Sequence, residues 1–252
     1  MGQGNKFYLS FSKLSTYIKC PMRYKFIYVD ELPTAPRSYF SFGNSIHKVL
    51  EEFYKEETSF KKLRKSPYNY LMELLDKHWI KVGYAYPQEE RRAKEEAKMI
   101  LTNFYRKSIF SYKPALLVEK EFSFELEGTE IKGRIDRIDE EFEKLTIIDY
   151  KTNTFLPQLF KEEELLQPLI YKMAVEELFP DREIGKVTFY FLKHSKKIDF
   201  EIDELLIEKG KKRMLEILYM IRNADFYPIS NGSCSGCEFR SICPAYQNKK
   251  EN

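Results

Sequence analysis

At 252 residues the chain is long enough for one large domain or two small ones. Hydrophobic residues make up 43% and charged residues 32%, with 20 Phe and 18 Tyr, so a sizeable core can form without covalent help. A net charge of +3, from 42 Lys and Arg against 39 Asp and Glu, excludes the bulk basicity of a histone-like protein.

No apolar run approaches bilayer-spanning length, and the N-terminus lacks a secretory hydrophobic region. A cytoplasmic protein with no membrane partner is therefore expected. Disulfides are disfavoured there, so the four cysteines need another explanation. Basic clusters at Lys61-Lys62-Leu63-Arg64-Lys65, from Lys193 to Lys197 and at Lys211-Lys212-Arg213 each read as a solvated face when taken alone.

In chain order, Phe11, Leu14, Tyr17 and Ile18 have helical spacing, and Cys20-Pro21 ends that helix. Gly43-Asn44 opens a second helix, with Ile46, Val49, Leu50 and Phe53 on its apolar side. Two more helices are predicted over 70–82 and 89–110, separated by Pro87, which makes the first part all-helical. Three β-rich runs follow at 116–126, 131–138 and 145–152, joined by short turns as an antiparallel meander. A helix over 162–178, a strand at 186–192, a hairpin partner at 198–202 and an amphipathic helix over 205–221 complete the core. This order predicts an α/β architecture, a central mixed sheet flanked by helices. We divide one domain, 1–252, into a helical part (1–112), a core (113–223) and a cysteine-rich tail (224–252).

Asp149-Tyr150-Lys151 follows the apolar run Leu145 to Ile148. Residues two apart in a strand share a face, so Asp149 and Lys151 project together from a rigid element. A carboxylate there can hold a divalent cation, and the ammonium can orient water or offset charge on a phosphate oxygen. The preceding strand offers Asp136 or Asp139, which face opposite ways, so one of the two can share the site. Gly133, shortly before, leaves room for a close approach. His47 lies at the border of its helix's apolar stripe and taken alone reads as a packed residue.

Together these residues resemble a known family. Ser10-Phe11-Ser12-Lys13-Leu14, Cys20-Pro21, Phe42-Gly43-Asn44-Ser45-Ile46-His47, Gly133-Arg134-Ile135-Asp136, Ile148-Asp149-Tyr150-Lys151-Thr152 and Gln167-Pro168-Leu169-Ile170-Tyr171 occur in the order found in RecB-like PD-(D/E)XK nucleases. That branch includes the RecB and AddB nuclease domains and the CRISPR-associated RecB-like exonucleases. The resemblance implies a restriction-endonuclease-like fold and a metal-dependent deoxyribonuclease, an exonuclease preferring single strands in repair, recombination or CRISPR adaptation. It implies His47, Asp136, Asp149 and the Tyr150 carbonyl as metal ligands. It also implies a catalytic set of Asp136, Asp149 and Lys151, with Gln167 and Tyr171 beside it. Glu119 matches a further acidic position, although strand phase leaves Glu119, Glu121 and Glu125 open. An oxygen-rich site with one imidazole suits Mg²⁺ or Mn²⁺.

Cys20, Cys234, Cys237 and Cys243 are spaced as one distant thiol followed by C-x₂-C-x₅-C. Zinc sites usually bring two close pairs, and four thiolates also suit a [4Fe–4S] cluster. The spacing resembles the iron–sulfur staple of AddB and its relatives, which implies a structural cluster joining the two ends. The chain contains no G-x-x-x-x-G-K-[ST] motif, so the implied partners are DNA and a separate helicase or CRISPR integrase. A catalytically idle nucleic-acid-binding module is the rival reading, and loss of His47, Asp136, Asp149 or Lys151 would have favoured it.

Overall fold

A computed structural model describes residues 7–55, 66–158 and 160–247. The Lys61–Lys65 basic cluster lies outside them. The N-terminal part holds strand β1 (Tyr8–Leu9) and helices α1 (Phe11–Lys19), α2 (Pro21–Tyr28), α3 (Ser38–Tyr54), α4 (Pro67–His78) and α5 (Pro87–Ser108). Strands β2 (Leu117–Leu126), β3 (Thr129–Glu141) and β4 (Lys144–Lys151) follow as the antiparallel meander expected. Helix α6 (Glu162–Leu178) then crosses to β5 (Glu183–Phe191), which pairs parallel with β4. Antiparallel β6 (Lys196–Phe200), helix α7 (Glu204–Arg222) and the short α8 (Pro244–Gln247) complete the chain. The result is a mixed sheet flanked by helices.

The all-helical expectation for the first part fails at β1, two residues pairing parallel with Glu130 and Ile131 of β3. Two residues are too short to show a strand's period. Pro21 does end α1, but it also occupies the first turn of α2, where a missing N–H costs nothing. Helix α3 begins at Ser38, five residues before the expected Gly43. Ser10 caps α1 by accepting a hydrogen bond from Lys13 N at 3.3 Å, and the helix buries Leu14 and Tyr17.

Each sheet face carries its own core. Leu145, Ile147, Phe189 and Phe191 pack with α1, α6 and α7 on one face. Ile148, Tyr150, Tyr190 and Leu192 pack with α3, α4 and α5 on the other. Strand β4 is therefore buried on both sides from Leu145 to Tyr150, Thr146 and Asp149 included. Full burial of a side chain such as Leu14 or Ile46 contributes about 1.5–3 kcal/mol.

The edges of β3 prepare the site. One edge pairs with β2. The other pairs with β1 at Glu130 and Ile131, and again with β4 only from Arg137 onward. Asp136 lies in the gap between those two ladders. Alternation breaks there as well. Ile135 belongs to the first core, whereas Arg137, two residues on, lies over Tyr54 in the second. Gly133, expected to admit another backbone or a ligand, instead admits a side chain: a Cβ on it would meet the Phe122 ring at 2.4 Å.

Candidate active site and cysteine cavity

Where β3 leaves β4, the Tyr150 N–H donates to Asp136 Oδ2 at 2.7 Å. Asp136 Oδ1 lies 3.1 Å from His47 Nδ1, brought in by α3. Helix α3 can come this close because Gly43, one turn before His47, has no side chain; a Cβ there would sit 3.2 Å from Thr152 Oγ1. Glu119 completes the group. One ligand atom each from His47, Glu119 and Asp136 lies within 4.8 Å of the others, the one such acidic, imidazole or thiol group among the described residues.

Glu119 holds a left-handed φ of 48° within a strand, a conformation that costs about 1–3 kcal/mol in a non-glycine residue. Glu121 and Glu125 are exposed instead. Sequence phase left these three open, because a single left-handed residue is invisible to a period-2 pattern. Arg134, from β3, pairs with Glu119 from the solvent side.

The second half of the site comes from β4 and α6. Lys151 Nζ donates to Gln167 Oε1 at 2.6 Å and lies 2.7 Å from Asp149 Oδ2. Asp149 Oδ1 accepts from Tyr171 Oη at 2.8 Å and from Gln167 Nε2 at 3.1 Å. Gln167 and Tyr171, one turn apart on α6, thus fix both the carboxylate and the ammonium. Asp149 Oδ2 is shut off from solvent, and the Lys151 ammonium 2.7 Å away is the group that faces it.

The electrostatics of the two halves are those of crowded acid. Burial pushes the Asp149 carboxyl up and Asp136 adds to the rise, while Lys151 opposes both. Burial and Asp136 likewise raise Glu119 against Arg134 and His47. Burial alone would lower His47, but the Asp136 carboxylate beside it lifts the imidazole to about 9. The Glu119 and Asp136 carboxylates gathered with the His47 imidazole, and the buried Asp149 carboxylate whose charge Asp136 feels, make an oxygen-rich donor set that suits a hard divalent cation.

The structure thus unites His47, Asp136 and Glu119 in one group, and Asp149, Lys151, Gln167 and Tyr171 in a second. Tyr150 links them through its N–H, while its ring belongs to the second core. Asp139 turns away from the site, and both its carboxylate oxygens accept from Arg137, whose Nη1 also donates to the Tyr150 hydroxyl at 3.2 Å. Sequence reasoning did not anticipate this buried cluster. Nothing in a strand pattern announces that two charges will be buried as a pair. His78 and His194 lie outside the site, the latter 3.0 Å from the Thr154 carbonyl. Trp79 is buried and donates from its ring to Glu90.

The four cysteines are all unpaired and half-buried, and all line one cavity of about 350 Å³. Cys20 comes from the α1–α2 junction; Cys234, Cys237 and Cys243 come from the tail. Several bonds join these two segments. Glu238 accepts from Arg23 at 2.9 Å and from Arg37 at 2.7 Å. Met22 N donates to the Tyr227 carbonyl and the Tyr17 hydroxyl to the Asp225 carbonyl. Phe26 and Phe239 pack ring to ring at 5.2 Å.

A family model of the PD-(D/E)XK nuclease superfamily matches residues 8–244, nearly the whole chain. The chain belongs to the PD-(D/E)XK nuclease superfamily. Its members are metal-dependent hydrolases of phosphodiester bonds, so a divalent cation and a nucleic-acid substrate come with membership. The chain is also similar to the Gene 69 protein of Mycobacterium phage L5, 24% identical over 288 aligned positions covering 94% of this chain and 96% of that one. A crystal structure of a Eubacterium rectale protein, provisionally described as an exonuclease, shares the fold at a TM-score of 0.54. It is 12% identical and covers 98% of this chain and 89% of its own. The structure of SSO0001 aligns over the same shares of each chain, at 16% identity and a TM-score of 0.47. No helix among the described residues is long and apolar enough to cross a membrane.

Proposed function

We propose that the protein is a RecB-like deoxyribonuclease that shortens single-stranded DNA from its ends, in repair, recombination or CRISPR adaptation. The observation that carries this reading is the meeting of two groups across one strand separation. The His47–Glu119–Asp136 cluster lies on one side, and the Asp149–Lys151 pair, held by Gln167 and Tyr171, on the other.

His47, Asp136 and Asp149, with Glu119 in support and the Tyr150 carbonyl, would hold Mg²⁺ or Mn²⁺. The cation, when bound, supplies charge to offset the phosphate and lowers the pKa of water. Hydrolysis joins a water oxygen to phosphorus and releases the sugar oxygen, which leaves with a proton. Lys151 is the chain's own cation at that point. Its ammonium, fixed between Asp149 and Gln167, can hold a phosphate oxygen and orient the incoming water. Gln167 and Tyr171 act through Asp149 and Lys151, and are positioning residues.

The cysteine cavity is proposed to hold a [4Fe–4S] cluster that staples the two ends of the chain. Zinc bound to four thiolates at 2.3 Å would need sulfurs about 3.8 Å apart. What supports the larger group is that all four thiols line one cavity of about 350 Å³, with the lone Cys20 joining a C-x₂-C-x₅-C run and not a second close pair. A helicase or a CRISPR integrase is the partner class this reading proposes.

Protein purified without oxygen should shorten end-labelled single-stranded DNA faster than duplex when Mn²⁺ or Mg²⁺ is present, and a Lys151→Ala protein should not. If the parent binds DNA but leaves it intact with either metal, the protein is a binding module instead.

A further inference from the structure

A cavity of about 810 Å³ opens beside Lys151 and Gln167, and the residues that position the chemistry use only one end of it. Its walls come from α1, from the 152–158 loop, from the start of α6 and from the Ile229–Ser233 stretch that leads into Cys234. Three lysines line it, Lys19, Lys151 and Lys161, against two glutamates. Glu164 is one of these glutamates, and it is turned back to accept from Lys161 N at 2.9 Å. Phe155 lies on its rim, four residues after Lys151, with 83% of its surface exposed. An exposed aromatic ring at the mouth of a cationic cavity has no role in either core.

We propose that this cavity is a subsite for an unpaired nucleotide of the DNA strand, with its base stacked on Phe155 and its phosphates directed towards Lys151. The position, though not the test, rests on the nuclease reading. Every base has an apolar face that an aromatic ring can cover, and this face is free only when the base is not already stacked in a duplex. Lysines beside the ring attract the backbone without reading sequence. The subsite would therefore select single strands with no base preference. A folded peptide or a small acid is a poorer occupant: the cavity has an aromatic rim and scattered lysines, and its convergent polar pair, Lys151 and Gln167, is confined to one end.

The test is binding, measured by anisotropy of a labelled dT15 strand and of a 15-base-pair duplex, with EDTA present so that no hydrolysis runs. The parent should prefer dT15. Phe155→Ala should weaken dT15 binding roughly 5- to 150-fold, the loss expected for one stacked base. Phe142→Ala serves as control, since Phe142 is 98% exposed on the β3–β4 turn and does not line the cavity. It should bind like the parent. In Phe155→Trp the introduced indole should be quenched on adding dT15, against the steady background of buried Trp79.

Parental affinity in Phe155→Ala, or an unquenched indole while anisotropy rises, overturns the subsite. Equal affinity of the parent for strand and duplex overturns it too. Cleavage is scored separately with Mn²⁺. A parent that cleaves nothing but passes the binding tests loses the nuclease reading and keeps the subsite; a parent that cleaves but fails them does the reverse.

Discussion

The candidate active site and the cysteine cavity both join segments far apart in sequence, but they are held in different ways. The active site stands on β3, β4 and α6, where Asp149 and Lys151 come from one strand and Gln167 and Tyr171 from one helix turn. Its geometry is set by two cores that pack around the sheet. The cysteine cavity stands on a helix junction and on short turns, and its thiols are half-buried. Polar bonds such as those of Glu238 draw its walls together. One site inherits rigidity from the fold; the other has to contribute rigidity to it. Changes in the first should cost chemistry and leave folding intact, and changes in the second should do the reverse.

The largest expected effect is at the cavity. If the proposed cluster is present, Cys20→Ser should remove its absorbance and lower stability by about 4–5 kcal/mol, by analogy with a cross-link closing a long loop. Thermal melting followed beside the visible spectrum checks this. A variant that keeps both full absorbance and the parental melting point would show that no staple passes through Cys20. Next comes Lys151→Ala, expected to slow cleavage about 10²- to 10³-fold while melting within a few degrees of the parent. If its melting point falls as far as that of Cys20→Ser, the division between a chemical and a structural region is wrong. Gln167→Ala should cost less, about 10-fold in turnover, because it leaves both Asp149 and Lys151 in place and removes only their bridge. Its Gln167→Glu counterpart keeps an acceptor for Lys151 but sets a third carboxylate against Asp149. A pH–rate profile shifted in Gln167→Glu and unshifted in Gln167→Ala would mark a positioning role as opposed to a packing one.

The same difference governs what the sequence could reveal. Helix and strand periods placed β2 to β6, α6 and α7 to within a few residues, because each buries a stripe or a face with a plain repeat. Asp149 and Lys151 were legible because two residues apart in a buried strand must share a face. Asp136 was not separable from Asp139 on residue pattern alone. The deciding feature is the gap in the β3 edge between Ile131 and Arg137, a tertiary event. Glu119 was hidden by its left-handed backbone, and β1 by its length. The gathering of four cysteines in one cavity was an expectation of resemblance, since no local pattern links Cys20 to a tail more than two hundred residues away.

The smallest effect, and the sharpest probe of how the cavity is held, is at Glu238. Its carboxylate is only 14% exposed and joins Arg23 to Arg37. Burial would raise its pKa, but its own backbone N–H and then the two guanidinium groups hold it below the usual glutamate range. A depressed carboxylate contributes stability that is complete above the unfolded glutamate value of about 4.3 and is lost as pH falls through the lower folded value. Glu238→Gln should therefore cost about 1 kcal/mol near neutrality, modest because the arginines keep some contact with water. In acid, below the folded value, the variant and the parent should converge. Urea melts at neutral and acid pH read this directly, and a gap that persists unchanged in acid would mean Glu238 acts by packing and not by charge. If the gap does close, the two ends of the chain are drawn together by ion pairs as well as by whatever fills the cavity. Acid would then loosen the cysteine region before it disturbs the two apolar cores behind Lys151.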